Sequence, residues 1–266
     1  MRTIVSPIDF SSCSLNALSF AAEIAKRSKV NLIIVTVPGT DEEEAATKLK
    51  AVEGDLRKQF ANDLNCETRV LKGSVIDALT SFIDENHPDL VVMGTHGATG
   101  LKRILMGSNT VKVLANTKIP VLVIPEVASF ENFLHTGKNR IVLATDLDSL
   151  EDEEVLDTLK TIALMMVAPG ISVLSVRPKN TILPDYQELE RNFLLAFFKP
   201  EIETERITVF SSNVISGINF YLEKKSDTGL VAMIARDSGD LIQKHFTREM
   251  ASHTHLPLLV MHDIKR

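Results

Sequence analysis

Cysteine is almost missing from these 266 residues: there are two, Cys13 and Cys66. Two cysteines make no disulfide framework, and the usage fits a reducing compartment. Cys13 falls beside an expected helix start, so a redox role stands next to the plainer reading of small-residue packing. A basic excess is missing too, since 29 Lys and Arg against 35 Asp and Glu leave a formal charge of −6. Without a basic stripe to release counterions, nucleic acid is not an expected partner. No apolar run reaches the roughly 18–20 residues of a membrane span. The opening "MRTIVSPIDF" is strand-like and carries no cleavable apolar stretch. A soluble, cytoplasmic protein without a membrane partner is the expectation.

What is present is said nearly twice. "TIVSPIDFSS" at 3–12 returns as "RIVLATDLDS" at 140–149, and "NTKIPVLVIP" at 116–125 as "HTHLPLLVMH" at 253–262, both 137 residues later. Between them "VIDALTSFIDENHPDLVVM" at 75–93 parallels "VISGINFYLEKKSDTGLVAM" at 214–233, with one extra residue. Three segments in the same order mean a duplicated domain. The expected domains are 1–127 and 138–266, with the linker inside 126–139. With 44% of residues hydrophobic, either half can build a core.

In the first copy, strand runs at 3–8, 31–37, 66–71, 90–93 and 120–124 alternate with helical patterns at 14–28, 41–63, 75–86 and 108–117. The first helix places Leu15, Leu18, Ala21, Ala22 and Ala25 on one stripe, with Ala17 and Ile24 at its edge. Ser74 is a fair N-cap for the third, which stops before Pro88. The second copy places strands near 140–145, 171–176, 205–210, 229–234 and 257–261. Short β-branched strands joined by helices predict two α/β domains, each a five-stranded parallel sheet of order 3-2-1-4-5 in a Rossmann-like sandwich.

Such a sheet binds its ligand at the carboxyl ends of the strands, between strands 1 and 4. Strand 1 ends in "PIDFS" and strand 4 in "VVMGTHG", so Asp9, Gly94 and Gly97 meet there. "GTHGATGLKRILMGSNT" gathers glycine at a loop and then polar residues at a helix start. Gly107, Ser108, Asn109 and Thr110 would offer amides and hydroxyls to an anion. An ionised Asp9 can accept from ribose hydroxyls or an adenine amine, or help hold a divalent cation. The plainer alternatives are a turn at the glycines and a helix cap at Asp9. Lys102 and Arg103 either neutralise phosphate or are simply solvated. The loop is neither G-x-x-x-x-G-K-S/T nor G-x-G-x-x-G, which speaks against a P-loop ATPase or a dehydrogenase.

The Gly-x-x-Gly, nine residues, Gly-Ser pattern resembles the ATP-binding universal stress proteins, and "PIDFS" and "IPVLVIP" are similar to the same family's strands. The resemblance covers the chain as a tandem pair. It implies ATP as cofactor, held with magnesium or manganese, and no dedicated hydrolytic base. It also implies that Pro7, Ile8 and Asp9 contact adenosine and that Val37 lines the adenine pocket. Met93, Gly94, His96 and Gly97 then flank ribose and phosphates, and Gly107, Ser108, Asn109 and Thr110 cradle the phosphates. The second copy departs from this pattern: Ile234 replaces Gly94, the loop is three residues shorter, and Lys244 and His245 stand where Gly107 and Ser108 would be. It is expected to be degenerate, without ATP, pairing with the first copy through the final strands.

The expected function is a nucleotide-dependent stress sensor or signalling module acting through an unknown protein partner. No nucleophile–base pair appears, so at most slow ATP hydrolysis is expected. One rival is a true ATP-using enzyme with His96 as base. Another is a scaffold or a binder of a lipid or metabolite, for which "NFLLAFF" at 192–198 would serve, although an amphipathic helix explains that segment as well. His245, His253, His255 and His262 near the end suggest zinc less than surface histidines. A homodimer of chains stays open.

Overall fold

The computed structural model describes residues 1–39, 41–61, 63–95, 108–131, 140–166, 168–236 and 256–263. The chain divides into two compact units, the first built on Met1–Phe130 and the second on the chain that follows. The first carries β1 (Thr3–Pro7), α1 (Ser12–Ser28), β2 (Asn31–Thr36), α2 (Glu42–Gln59), β3 (Cys66–Val70), α3 (Val75–Asn86), β4 (Leu90–Gly94), α4 (Ser108–Asn116) and β5 (Val121–Ile124). The second carries β6 (Arg140–Ala144), α5 (Val155–Met165), β7 (Ile171–Arg177), α6 (Asp185–Phe197), β8 (Thr204–Phe210), α7 (Val214–Lys224), β9 (Thr228–Arg236) and β10 (Leu258–Asp263).

Within the first unit the strand order is β3-β2-β1-β4-β5, and within the second β8-β7-β6-β9-β10. Neighbours inside each unit run parallel. Both are the 3-2-1-4-5 arrangement that the alternating strand and helix pattern predicts. The central strands are apolar without alternation because helices cover both faces. Ile4, Val5, Leu90, Val91 and Val92 are fully buried, and so are Ile141, Val142 and Leu143. Each such aliphatic side chain stabilises the fold by roughly 1.5–3 kcal/mol.

Helix starts follow local chemistry. Ser11 caps α1 by accepting from the Ser14 amide, Asp41 caps α2 from Glu44, and Ser74 caps α3 from Asp77. The third helix ends at His87 in the left-handed region, before Pro88. The expected stripe of α1 is buried at Leu18, Ala21, Ala22 and Ala25, with Ala17 and Ile24 at its edge, and only Leu15 departs, at 36% exposure. "NFLLAFF" lies on α6 and packs inward: Leu194 and Phe198 are fully buried, and Phe197 sits edge-on to Phe198 with ring centroids 5.2 Å apart.

The duplication extends to an unusual backbone turn. Phe10 has φ 63° and Leu147 has φ 64°, both in the left-handed region that bulky side chains rarely adopt. Each follows an aspartate that lies two residues past the first strand of its unit. In each, that carboxylate accepts the amide two residues on: Ser11 to Asp9 at 3.1 Å, Asp148 to Asp146 at 3.0 Å.

Candidate functional site

In the first unit β1 pairs with β2 on one side and β4 on the other, so the crossovers diverge at the carboxyl ends of β1 and β4. Pro7 is opposite Val35, and Val5 opposite Val91. Continuing that register puts Asp9, Val37 and Thr95 level at the ends of three neighbouring strands. Ile8 and Met93 are buried beneath them, at 4% and 6% exposure. Pro7 and Val37 are half-buried, and Asp9 is exposed. The Ile8 amide donates to the Val35 carbonyl at 2.8 Å, and the Thr36 hydroxyl donates to the Ile8 carbonyl at 2.8 Å. These bonds zip β1 to β2 past the last strand residue and hold the loop that carries Asp9. Asp9 does not cap α1; it holds the cap, its Oδ1 accepting from the Ser11 hydroxyl at 2.6 Å as well as from the amide.

Across the crevice, Gly94 ends β4 for a reason internal to the protein. A Cβ there would lie 2.8 Å from the Cys13 sulfur and 2.9 Å from the Cys13 carbonyl oxygen, inside the first turn of α1. The glycine is what lets α1 reach the strand end. Thr110, in the first turn of α4, donates its hydroxyl to the Gly94 carbonyl at 2.8 Å and is buried. That bond fixes the start of α4 against the end of β4. Ser108 and Asn109 remain exposed at the α4 N-terminus. The described part of the site therefore offers an exposed carboxylate, a half-apolar floor and a helix N-terminus with two exposed polar residues. Such a set can accept hydroxyl donors at one end and favour an anion at the other. His96, Gly97 and Gly107, with Lys102 and Arg103, lie outside the described residues, as do Lys244, His245, His253 and His255.

Both cysteines are free and buried. The Cys13 thiol lies 3.6 Å from the Thr95 hydroxyl and 3.8 Å from the Ile124 carbonyl, which is a packing role. Burial pushes the Cys66 thiol pKa up, away from reactivity. Among the described residues no three His, Cys, Asp or Glu side chains are grouped as a metal ion would need.

The second unit treats the same place differently. Strand β9 runs four residues past Thr228–Ala232 to end in Arg236, whose guanidinium sits at the strand ends, 13% exposed. It donates to Asp146 Oδ1 and Oδ2 at 3.2 and 3.3 Å, to the Ser149 carbonyl at 2.7 Å, to Asp263 Oδ2 at 2.9 Å, and to the Asp148 carbonyl. Asp263 in turn accepts the Glu151 and Asp152 amides. The aspartate that matches Asp9 is thus engaged by an internal cation. Sequence reasoning placed the departure of this copy at Ile234 and the short loop and missed Arg236; its only signal was an arginine two residues past the glycine position. The same strand ends, of β6, β7 and β9, with the segment 178–184 and the start of α7, line an open cavity of about 540 Å³.

The universal stress protein family model matches residues 1–125. A universal stress protein of Methanocaldococcus jannaschii is 33% identical over 138 residues, covering 46% of this chain and 81% of that protein. Among solved structures, a universal stress protein from Archaeoglobus fulgidus superposes with a TM-score of 0.74 at 17% identity, covering 98% of each chain. Another universal stress protein, solved in complex with cAMP, is 28% identical over 46% of this chain and 96% of that chain, with a TM-score of 0.37. No described helix is long and apolar enough to cross a membrane.

Proposed function

The chain belongs to the universal stress protein family, and from that premise we propose that its first half binds one adenine nucleotide, ATP with magnesium or manganese, at the carboxyl ends of β1, β2 and β4. Asp9 takes the hydroxyls or amine of the nucleoside, Val37 and Ile8 form the wall against the base, and Met93 and Gly94 lie beneath the ribose. The α4 N-terminus with Ser108 and Asn109 faces the phosphates, together with His96, Gly97 and Gly107 of the loop. Thr110 acts one step back, anchoring α4 through the Gly94 carbonyl. The observation that carries this reading is the level placement of exposed Asp9 at the switch point opposite the strand that leads into the α4 N-terminus.

The second half, 138–266 against 1–127 for the first, takes no ATP, because Arg236 already satisfies Asp146. The chain works in the cytoplasm as a nucleotide-dependent stress sensor or signalling module, through a protein partner and without catalytic turnover. The test is to denature freshly purified protein and identify released nucleotide by chromatography and mass spectrometry, with magnesium-ATP calorimetry on the emptied chain. One adenine nucleotide per chain, lost in Asp9→Ala, supports the reading. Two per chain, or none together with no heat of binding, overturns it.

A further inference from the structure

The second helix of each half packs on the second and third strands but meets solvent differently. In α2 no large hydrophobic side chain is exposed, and outward positions carry Glu43, Glu44, Lys48, Lys50 and Asp55. In α6 two are, Tyr186 at 53% and Leu189 at 70% exposure. Half-buried Phe193 and Phe197 continue them, their rings tilted against each other with centroids 5.9 Å apart. Steps of three, four and four residues keep the four side chains on one side of the helix, over about 16 Å. Other residues hold α6 on the sheet: Glu190, Arg191 and Leu194 are buried. A continuous apolar stripe that the sister helix lacks is surface kept for contact.

Helix α5 flanks that stripe. The Lys160 ammonium lies 5.5 Å from the centre of the Phe197 ring and is paired with Glu201 at 3.2 Å. One turn to either side of Lys160 stand Asp157 and Leu164, both exposed. Toward the helix start, burial raises the Glu190 pKa and the Glu153 carboxylate adds to the rise, so exposed Glu153 also borders α6. Gln187 donates to Asp148 Oδ1 at 3.1 Å. From Asp146 to Leu159 the chain holds seven carboxylates and neither lysine nor arginine. The surface is therefore apolar along its length and acidic along this edge. Anionic lipid is repelled by such an edge, and a second copy would bring the same carboxylates to it. A cationic amphipathic helix meets both parts at once.

We propose that this side of α6 and α5 docks a basic amphipathic helix of a partner protein, its apolar face on Tyr186, Leu189 and Phe193 and its lysines or arginines on Glu153 and Asp157. That helix belongs to the protein partner of the functional reading above, and the assignment rests on that reading for the partner alone, not for the nucleotide.

The test is a fluorescence-anisotropy titration of the full chain into a labelled synthetic peptide of about 18 leucines and lysines patterned as an amphipathic helix. The controls are the same residues scrambled, and the same pattern with glutamate for lysine. One amphipathic peptide per chain is expected, bound at least about tenfold more tightly than either control. Leu189→Asp should weaken it about tenfold or more with the thermal transition unchanged, because that side chain is already mostly in water. Glu153→Lys together with Asp157→Lys should weaken it as much and flatten its salt dependence. Glu43→Lys, at an exposed carboxylate of the first half, should change nothing. Magnesium-ATP calorimetry should give the parent result in Leu189→Asp, which separates this surface from the nucleotide site. Absent or unsaturable binding, equal binding of the scrambled peptide, indifference to Leu189→Asp, or an equal loss in Glu43→Lys would each overturn the assignment. So would a dimer of chains, or flotation with phosphatidylglycerol vesicles, that Leu189→Asp abolishes, since the surface would then belong to that occupant.

Discussion

At the end of its first strand, each half of the chain makes the same turn, an aspartate followed by a left-handed residue, and then uses the aspartate for opposite purposes. In the first half Asp9 is exposed and helps hold the Ser11 cap. In the second, Asp146 is one of two carboxylates closed over Arg236. The fourth strands differ in the same sense: β4 stops at a glycine that lets a helix come close, whereas β9 continues through Ile234 to the arginine. The fold needs the turn; it does not need the ligand face. Once a strand end is tied by an internal cation, its aspartate is spent on stability.

The sharpest way to break the contrast is to remove the clamp. Arg236→Met leaves Asp263, whose side chain is 1% exposed, without its cation, and should destabilise the second half by about 3 kcal/mol. Urea unfolding reads this, and an unchanged midpoint would mean that the clamp is ornamental. The mirror experiment makes the first half resemble the second. Gly94→Val should cost about 2–3 kcal/mol, because its Cβ meets the Cys13 backbone, which cannot swing away as a side-chain tip can. Nucleotide binding should fall with it, and a fully stable Gly94→Val would refute the close-approach account.

A smaller contrast lies in the first helices. Ser11→Ala removes the α1 cap and a bond to Asp9 and should cost about 1 kcal/mol. Glu154 at the start of α5 makes no side-chain cap bond to that helix. The smallest effect has the opposite sign. Burial raises the Glu190 pKa, with Arg236 opposing, so the folded state holds its proton above the unfolded value. Stability from this group is therefore lost as pH rises from the ordinary carboxylate range through the raised value. Glu190→Gln should match the parent near pH 4 and become the more stable protein toward pH 7. A gap that does not widen with pH would count against it.

Strands and their order were legible because β-branched runs and a 137-residue echo are local or repetitive signals. Helix caps were legible for the same reason: Ser74 acts within four residues of itself. The reasons behind the site residues were not. The packing reason for Gly94 lies with Cys13, 81 residues earlier. The bond from the Thr110 hydroxyl to the Gly94 carbonyl is equally silent in the sequence. Arg236 reaches back 90 residues to Asp146, and a long-range ion pair leaves no periodicity.

The clamp also sets a clock. Arg236 binds the carbonyls of Asp148 and Ser149, and Asp263 binds the amides of Glu151 and Asp152. The surface connection between β6 and α5 is therefore stitched from both sides, donors to one aspartate and acceptors to one arginine. In deuterated water the Glu151 and Asp152 amides should exchange on the schedule of the second half's core rather than of a loop. A protease should find no yielding bond between 146 and 152 until that whole half opens.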